Sequence, residues 1–171
     1  MANNAPPESQ ANQPRIVEII VSPGHDYWVK RGQPPLQHGA TRVARVDCMA
    51  GRGLRGDRYA EKRCGHKGQV TLMSIEAVDE VRCQFGLPDL PTTVFRRNLI
   101  VSGLNLAALV GERFYIQGIE FEGSEQCLPC RWMDRMVAEG ARTFMKDNFR
   151  GGLRARLLSD GVLVALEQVG N

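Results

Sequence analysis

The chain has little lysine, few aromatic residues and no long apolar run. Of its 22 basic residues only four are lysine and 18 are arginine, set against 19 acidic residues, so the formal net charge is +3. That excess is too small for nucleic-acid binding to follow from charge, and aromatics at 6% leave few rings to stack on bases. No stretch reaches the roughly 20 apolar residues that span a bilayer, which argues against a membrane partner. Residues 1–14 are rich in Asn, Pro, Gln and Ala with no apolar core, and read as a flexible tail, not a signal peptide. The five cysteines are odd in number and too sparse for a disulfide framework, so the expected setting is a reducing cytoplasm. Cys83, inside a helix-like pattern, reads as a buried small hydrophobe, while Cys48 and Cys64 carry no assignment.

What is present suits one domain. At 171 residues and 43% hydrophobic, with no linker, residues 15–171 are expected to fold as a unit. Arg15 to Ser22 is β-branched and ends at Pro23-Gly24, as a strand would. Pro23 to Gly39, with Tyr27 and Trp28, reads as an irregular excursion over one end of the fold, and Thr41 to Asp47 as a half-exposed strand. Gln69 to Met73 predicts a strand, followed by a helix capped by Ser74 and closed by Gly86 and Pro88. Val94 to Val101 reads as a strand interrupted by Arg96-Arg97-Asn98, a triplet either solvated at a strand end or turned inward toward a partner such as an anion. Leu104 to Val110 is expected as a short helix and Arg113 to Glu122 as a hairpin about Gln117-Gly118. A helix after Cys130, another from Thr143 to Asn148, and a closing hairpin of Leu153 to Leu158 with Val162 to Val169 complete the chain. Seven or eight short strands and about three helices, out of βαβ order, give the fold class as mainly β with helices (α+β), a decorated β-barrel.

Two stretches carry chemistry. Gly51 to Tyr59 packs three glycines, three arginines and Asp57 into a turn with exposed backbone donors; it matches neither a P-loop nor a dinucleotide fingerprint. Arginine grips carboxylate or phosphate with a planar fork of donors, though a GC-rich genome accounts for many of these residues, so weight falls only on clusters. The second stretch is Cys127-Leu128-Pro129-Cys130, placed so that Cys130 begins a helix, where unpaired N–H groups favour a thiolate. The pair is open to three chemistries: a redox dithiol, half of a zinc site completed by Cys64 and His66, or Cys130 alone as a reactive thiolate beside clustered arginines. Two buried core cysteines are the bland alternative.

Five blocks in order weigh between these: Gly53-Leu54-Arg55-Gly56-Asp57-Arg58, Gln69 to Ser74, Arg96 to Leu104, Cys127 to Cys130, and Arg150-Gly151-Gly152. Together they resemble the MOSC domain, the C-terminal domain of molybdenum cofactor sulfurases. The resemblance implies a barrel of the pyruvate-kinase type and a stand-alone domain. It implies the molybdenum cofactor as ligand, with Cys130 as the functional thiol, carrying sulfur as a persulfide or ligating the metal. It places Arg97 and Asn98 on the cofactor and Arg150 with the Gly151 backbone in the same pocket. Two activities follow as expectations, sulfur transfer or reduction of N-hydroxylated compounds, with a sulfur donor such as a cysteine desulfurase or an electron-transfer protein as partner. Pyridoxal phosphate is not expected on this chain, since that cofactor belongs to the sulfurase domain. The rival function is a non-catalytic small-molecule or protein-interaction barrel that has lost the cofactor. The family's final strands commonly end in a Gly-Asp turn, whereas Val162 to Val169 here runs into Glu167-Gln168.

Overall fold

The computed structural model describes residues 14–26, 34, 36–60 and 64–166; the expected tail apart from Pro14, Tyr27, Trp28, Glu167 and Gln168 lie outside them. Among the described residues ten strands form two sheets. The larger uses β1 (Arg15–Val21), β2 (Thr41–Val43), β5 (Val70–Ser74), β6 (Leu99–Ser102), β7 (Arg113–Ile116), β8 (Ile119–Gln126) and β9 (Leu153–Leu157), in the order β2-β1-β6-β5-β9-β8-β7. The smaller holds β3 (Arg45–Met49), β4 (Gly53–Leu54) and β10 (Gly161–Val164), ordered β10-β3-β4. Its helices are α1 (Ile75–Phe85), α2 (Arg131–Met136) and α3 (Ala141–Lys146). The α+β class is as expected; the strands make two sheets and are not closed into one barrel.

The central strands are apolar on both faces because both faces are covered. Alternate residues divide between two cores: Ile19, Leu72, Leu99 and Val101 face a core that also takes Val46, Leu54 and Leu163 from the small sheet. Ile20, Met73 and Ile100 face the other, under the helices, with Val78, Val81, Trp132, Met133 and Met145. This is why β1 and β6 read as near-continuous apolar runs. Among the ten strands of the described residues the only parallel pair is β5 with β6, joined through α1. The α1 helix starts where Ser74 Oγ accepts from the Ala77 N–H at 3.1 Å and ends at left-handed Gly86, as its sequence demands.

Several expectations are corrected. Leu153 to Leu157 and Gly161 to Val164 do not form a hairpin: β9 is occupied on both sides by β5 and β8, so β10 crosses to pair with β3. The Asp160 carboxylate accepts the Ala50 N–H at 2.8 Å and draws the turn toward the small sheet. The Thr41 to Asp47 strand is two strands in different sheets, broken at Ala44. Leu106–Leu109 is a 3₁₀ turn, not a longer helix. Cys83 lies on the outer face of α1 and is exposed, since the helical period places Val78 and Val81 inward instead.

Candidate functional site

The arginine triplet shows how the site is built. Thr92–Phe95 is a 3₁₀ turn, and Arg96 ends it in the left-handed region at φ 57°, so the chain reverses before β6 begins. Arg97 and Asn98 are therefore buried, neither solvated nor in mid-strand. Their partners are protein groups. Asn98 Oδ1 accepts from the Thr71 backbone N–H and hydroxyl at 3.1 and 2.9 Å, while its Nδ2 donates to Ile20 O and to Asp57 Oδ2 at 2.9 Å. Arg97 donates to the carbonyls of Gly151 (2.8 Å), Phe95 (2.8 Å) and Cys127 (3.3 Å), so this guanidinium fixes the backbone of the cysteine block.

Gly151 and Gly152 bring the other side of that block into place. A Cβ on Gly151 would meet the Cys127 carbonyl at 2.3 Å, and one on Gly152 the Leu72 carbonyl at 1.9 Å, so only glycine admits this approach. The Cys127 N–H in turn donates to Gly152 O at 2.7 Å. Thus held, the two cysteines differ. Cys127 is buried and Cys130 exposed, at the N-cap of α2 as expected, with no side-chain capping bond to the six-residue helix.

Cys130 lines a cavity of about 340 Å³ together with Cys127, Arg58, Arg96, Arg97 and Arg154. His25, Tyr59, His66 and Trp132 complete much of the wall. The glycine-rich loop supplies Arg58 and Tyr59, with Arg58 Cζ 4.6 Å from the Tyr59 ring centroid. Its anchor is Asp57, whose fully buried carboxylate accepts from the Ser22 N–H, Asn98 Nδ2, the Tyr59 N–H and Arg58 Nη1. Arg96 donates to Gly24 O at 3.1 Å and lies 5.4 Å from the Trp132 ring centroid. Burial and the neighbouring Arg58 lower the Arg96 pKa, against the opposing pull of Asp26, Tyr59 and Cys130. Burial would lower the Arg154 pKa too, but Cys127 and Glu125 outweigh it and raise it above the ordinary value. His66 Nδ1 accepts the Gly68 N–H at 3.1 Å, which leaves Nε2 to carry the proton of the neutral ring.

Four guanidiniums stand about one thiol, with Arg58 paired to Asp57 and Arg154 to Glu125. Of their donors, Arg58 Nε and Arg96 Nη1 are buried without a hydrogen bond among the described residues, although Asp26 Oδ2 stands 3.7 Å from the latter. Of the residues expected here, Cys130 and Arg97 line the cavity. Asn98 stands behind it through Thr71 and Asp57, and Gly151 supports the cysteine block from the rear. Arg150 is not brought to this cavity: it pairs with Glu80, packs over the Phe144 ring at 4.1 Å, and lines a separate pocket with Ser74 and Asn105. The polar triplet points to Arg96, but the resemblance assigns no cofactor contact to Arg58, Arg96 or Arg154; the clustering of Arg58 with Asp57 and the Leu-Arg-Ala-Arg-Leu alternation of β9 are the signals that point to the other two. Among the described residues no group of three or more His, Cys, Asp or Glu side chains could hold a metal ion, so a zinc site of Cys64, His66 and the cysteine pair does not assemble. No helix among them is long and apolar enough to cross a membrane.

Comparison with known proteins agrees with this construction. The YuaD protein from Bacillus subtilis superposes with a TM-score of 0.67 at 16% identity, over 89% of this chain and 91% of that one. YiiM from Geobacillus stearothermophilus gives 0.65 at 18% identity, over 88% and 71%, and YiiM from Escherichia coli gives 0.60 at 14%, over 86% and 65%. At such identities the likeness is one of fold. No curated protein sequence matches significantly. A sequence model of the MOSC domain matches residues 59–169, more than half of the chain and all but the first of the motif blocks that meet around Cys130, and the protein thus belongs to the MOSC domain family, known in molybdenum-cofactor-related proteins.

Proposed function

We propose that the Cys130 cavity holds the phosphate-bearing pterin of the molybdenum cofactor, with Cys130 as metal ligand or as persulfide carrier. The observation that carries this reading is an exposed thiol beside four guanidiniums, two of them with buried donors that lack a hydrogen bond among the described residues. Orphaned buried donors cost free energy until an acceptor arrives, and a phosphate offers several oxygens to the planar forks of arginine. The residues fit the group. Arg58, Arg96 and Arg154 would hold the anion, Arg97, Asn98 and Gly151 would position the walls, and Cys130 supplies a soft sulfur donor suited to a thiophilic metal. When bound, the cofactor would supply oxygen-atom and electron-pair chemistry. Only one protein ligand is asked of the chain, so the lack of a multi-residue metal cluster among the described residues does not conflict with it.

As a carrier, the Cys130 thiolate attacks the outer sulfur of a donor persulfide, taking that sulfur while the donor leaves as a thiolate. Cys127, buried behind it, does not take part. In the reductase version an N-hydroxylated substrate takes up an electron pair and two protons and releases water, the electrons coming from a redox protein. Metal analysis after expression in a cofactor-replete host tests the reading. Molybdenum and pterin fluorescence should co-purify with the protein and be lost in Cys130→Ser; neither metal nor pterin, with no dependence on Cys130, would overturn it.

A further inference from the structure

A second cavity, of about 250 Å³, shares Arg58, Arg96, Arg97 and Trp132 with the first but does not include either cysteine. Its remaining wall is mostly apolar, with Ile20, Ala40, Pro91, Val94 and Met136. The indole of Trp132 is fixed there by donation from Nε1 to Val94 O at 3.1 Å. An apolar cavity of about 150 Å³ accommodates benzene, so this one has room for a single ring with a substituent.

The polar part of the wall specifies the substituent. Among the described residues Arg58, whose side chain is 7% exposed, has an Nε without a hydrogen bond, and Arg96 has an Nη1 without one. The carboxylate that lines the same cavity, Asp26, is engaged by His38 Nδ1 at 2.9 Å and stands 3.7 Å from Arg96. A neutral ring would satisfy the apolar wall and leave the donors orphaned, an inorganic anion would do the reverse, and an organic cation would meet three guanidiniums. We propose that this cavity binds a single-ring aromatic carboxylate, its ring beside Val94, Trp132 and Met136 and its carboxylate on Arg58 and Arg96. This inference goes beyond the cofactor reading and does not depend on Cys130, but it draws on the same Arg58 and Arg96 donors, so an aromatic carboxylate and a cofactor phosphate would compete for them.

Isothermal titration calorimetry of the full chain with benzoate, benzyl alcohol and benzylammonium tests it. Benzoate should bind about tenfold or more tightly than the other two, and Arg96→Gln should remove that preference. Met136, 41% exposed at the rim, can be changed without disturbing the core. Met136→Glu should weaken benzoate and strengthen benzylammonium, which decides the matter even if Arg96→Gln does not fold. Benzoate binding that survives Cys130→Ser, whatever happens to molybdenum, supports a site that does not need the thiol. Benzyl alcohol binding as tightly as benzoate, no change in Met136→Glu, loss of benzoate in Cys130→Ser, or no benzoate binding at all would overturn the proposal.

Discussion

Replacing Asp57 with alanine should cost about 3–5 kcal/mol of folding stability, the range for removing one partner of a buried ion pair. The carboxylate has no exposure, and its Oδ2 accepts from the Ser22 N–H at 3.0 Å, Asn98 Nδ2 at 2.9 Å and Arg58 Nη1 at 3.2 Å. Truncation leaves the Arg58 guanidinium, 7% exposed, without its nearest counter-charge, and takes the acceptor from three neutral donors, the Ser22 N–H, Asn98 Nδ2 and, at Oδ1, the Tyr59 N–H. Each stranded donor would cost about 1–3 kcal/mol alone, but the losses overlap and do not add. Against a typical total of about 5–15 kcal/mol the variant should still fold, with a midpoint lowered by about 6–20 °C for a domain of this size. Urea titration measures the loss. Asn98→Ala should cost less in the Asp57→Ala background than in the native protein, because its orphaned amide is then removed. A loss below about 1 kcal/mol, or full additivity of the two substitutions, would refute the argument.

Alkaline pH offers a second check. Burial, with Asp47 and Asp160 adding, pushes the Cys48 thiol from 9.0 up to about 12. Between those values the unfolded chain gives up a proton that the folded chain keeps, so stability falls as pH rises, by about 1.4 kcal/mol per pH unit from this group. The urea midpoint of Cys48→Ala should therefore fall less steeply than that of the native protein over this range, and identical slopes would show that Cys48 is not the group responsible. Thiol accessibility gives a third check: iodoacetamide should modify Cys64, Cys83 and Cys130 in the native protein and reach Cys48 and Cys127 only on unfolding. Peptide mapping that finds Cys127 modified as fast as Cys130 would contradict the asymmetry of the pair.

Local signals were legible where neighbours in sequence are also neighbours in space. Ser74 and Gly86 bound α1 as their chemistry requires, and the Gln117-Gly118 turn, with both residues at positive φ, joins β7 to β8. The position of Cys130 at a helix start follows from the apolar residues beyond it, Trp132 and Met133 being the buried ones. What could not be read locally was competition between partners. Ser159-Asp160-Gly161 is a sound turn, yet nothing near it reveals that β9 has no free edge for β10. The cost of burying the polar triplet is legible in the sequence, but its relief by Asp57, Thr71 and the distant carbonyls of Ile20, Cys127 and Gly151 is a tertiary fact. The family resemblance puts Arg150 in the pocket with Gly151; the left-handed turn at Asn148 and Phe149 and its pairing with Glu80 direct it elsewhere.

Ser22, Asp57, Thr71 and Asn98 come from four separate stretches of chain and meet in one hydrogen-bonded knot behind the thiol. No single loop can swing away without breaking it, so the floor of the cavity opens only with the sheet itself. Amide exchange at Ser22, Thr71 and Asn98 should then proceed through global unfolding, not through local breathing. A ligand resting on that floor would slow exchange across the whole domain, and the lifetime of the folded chain would report whether the cavity is filled.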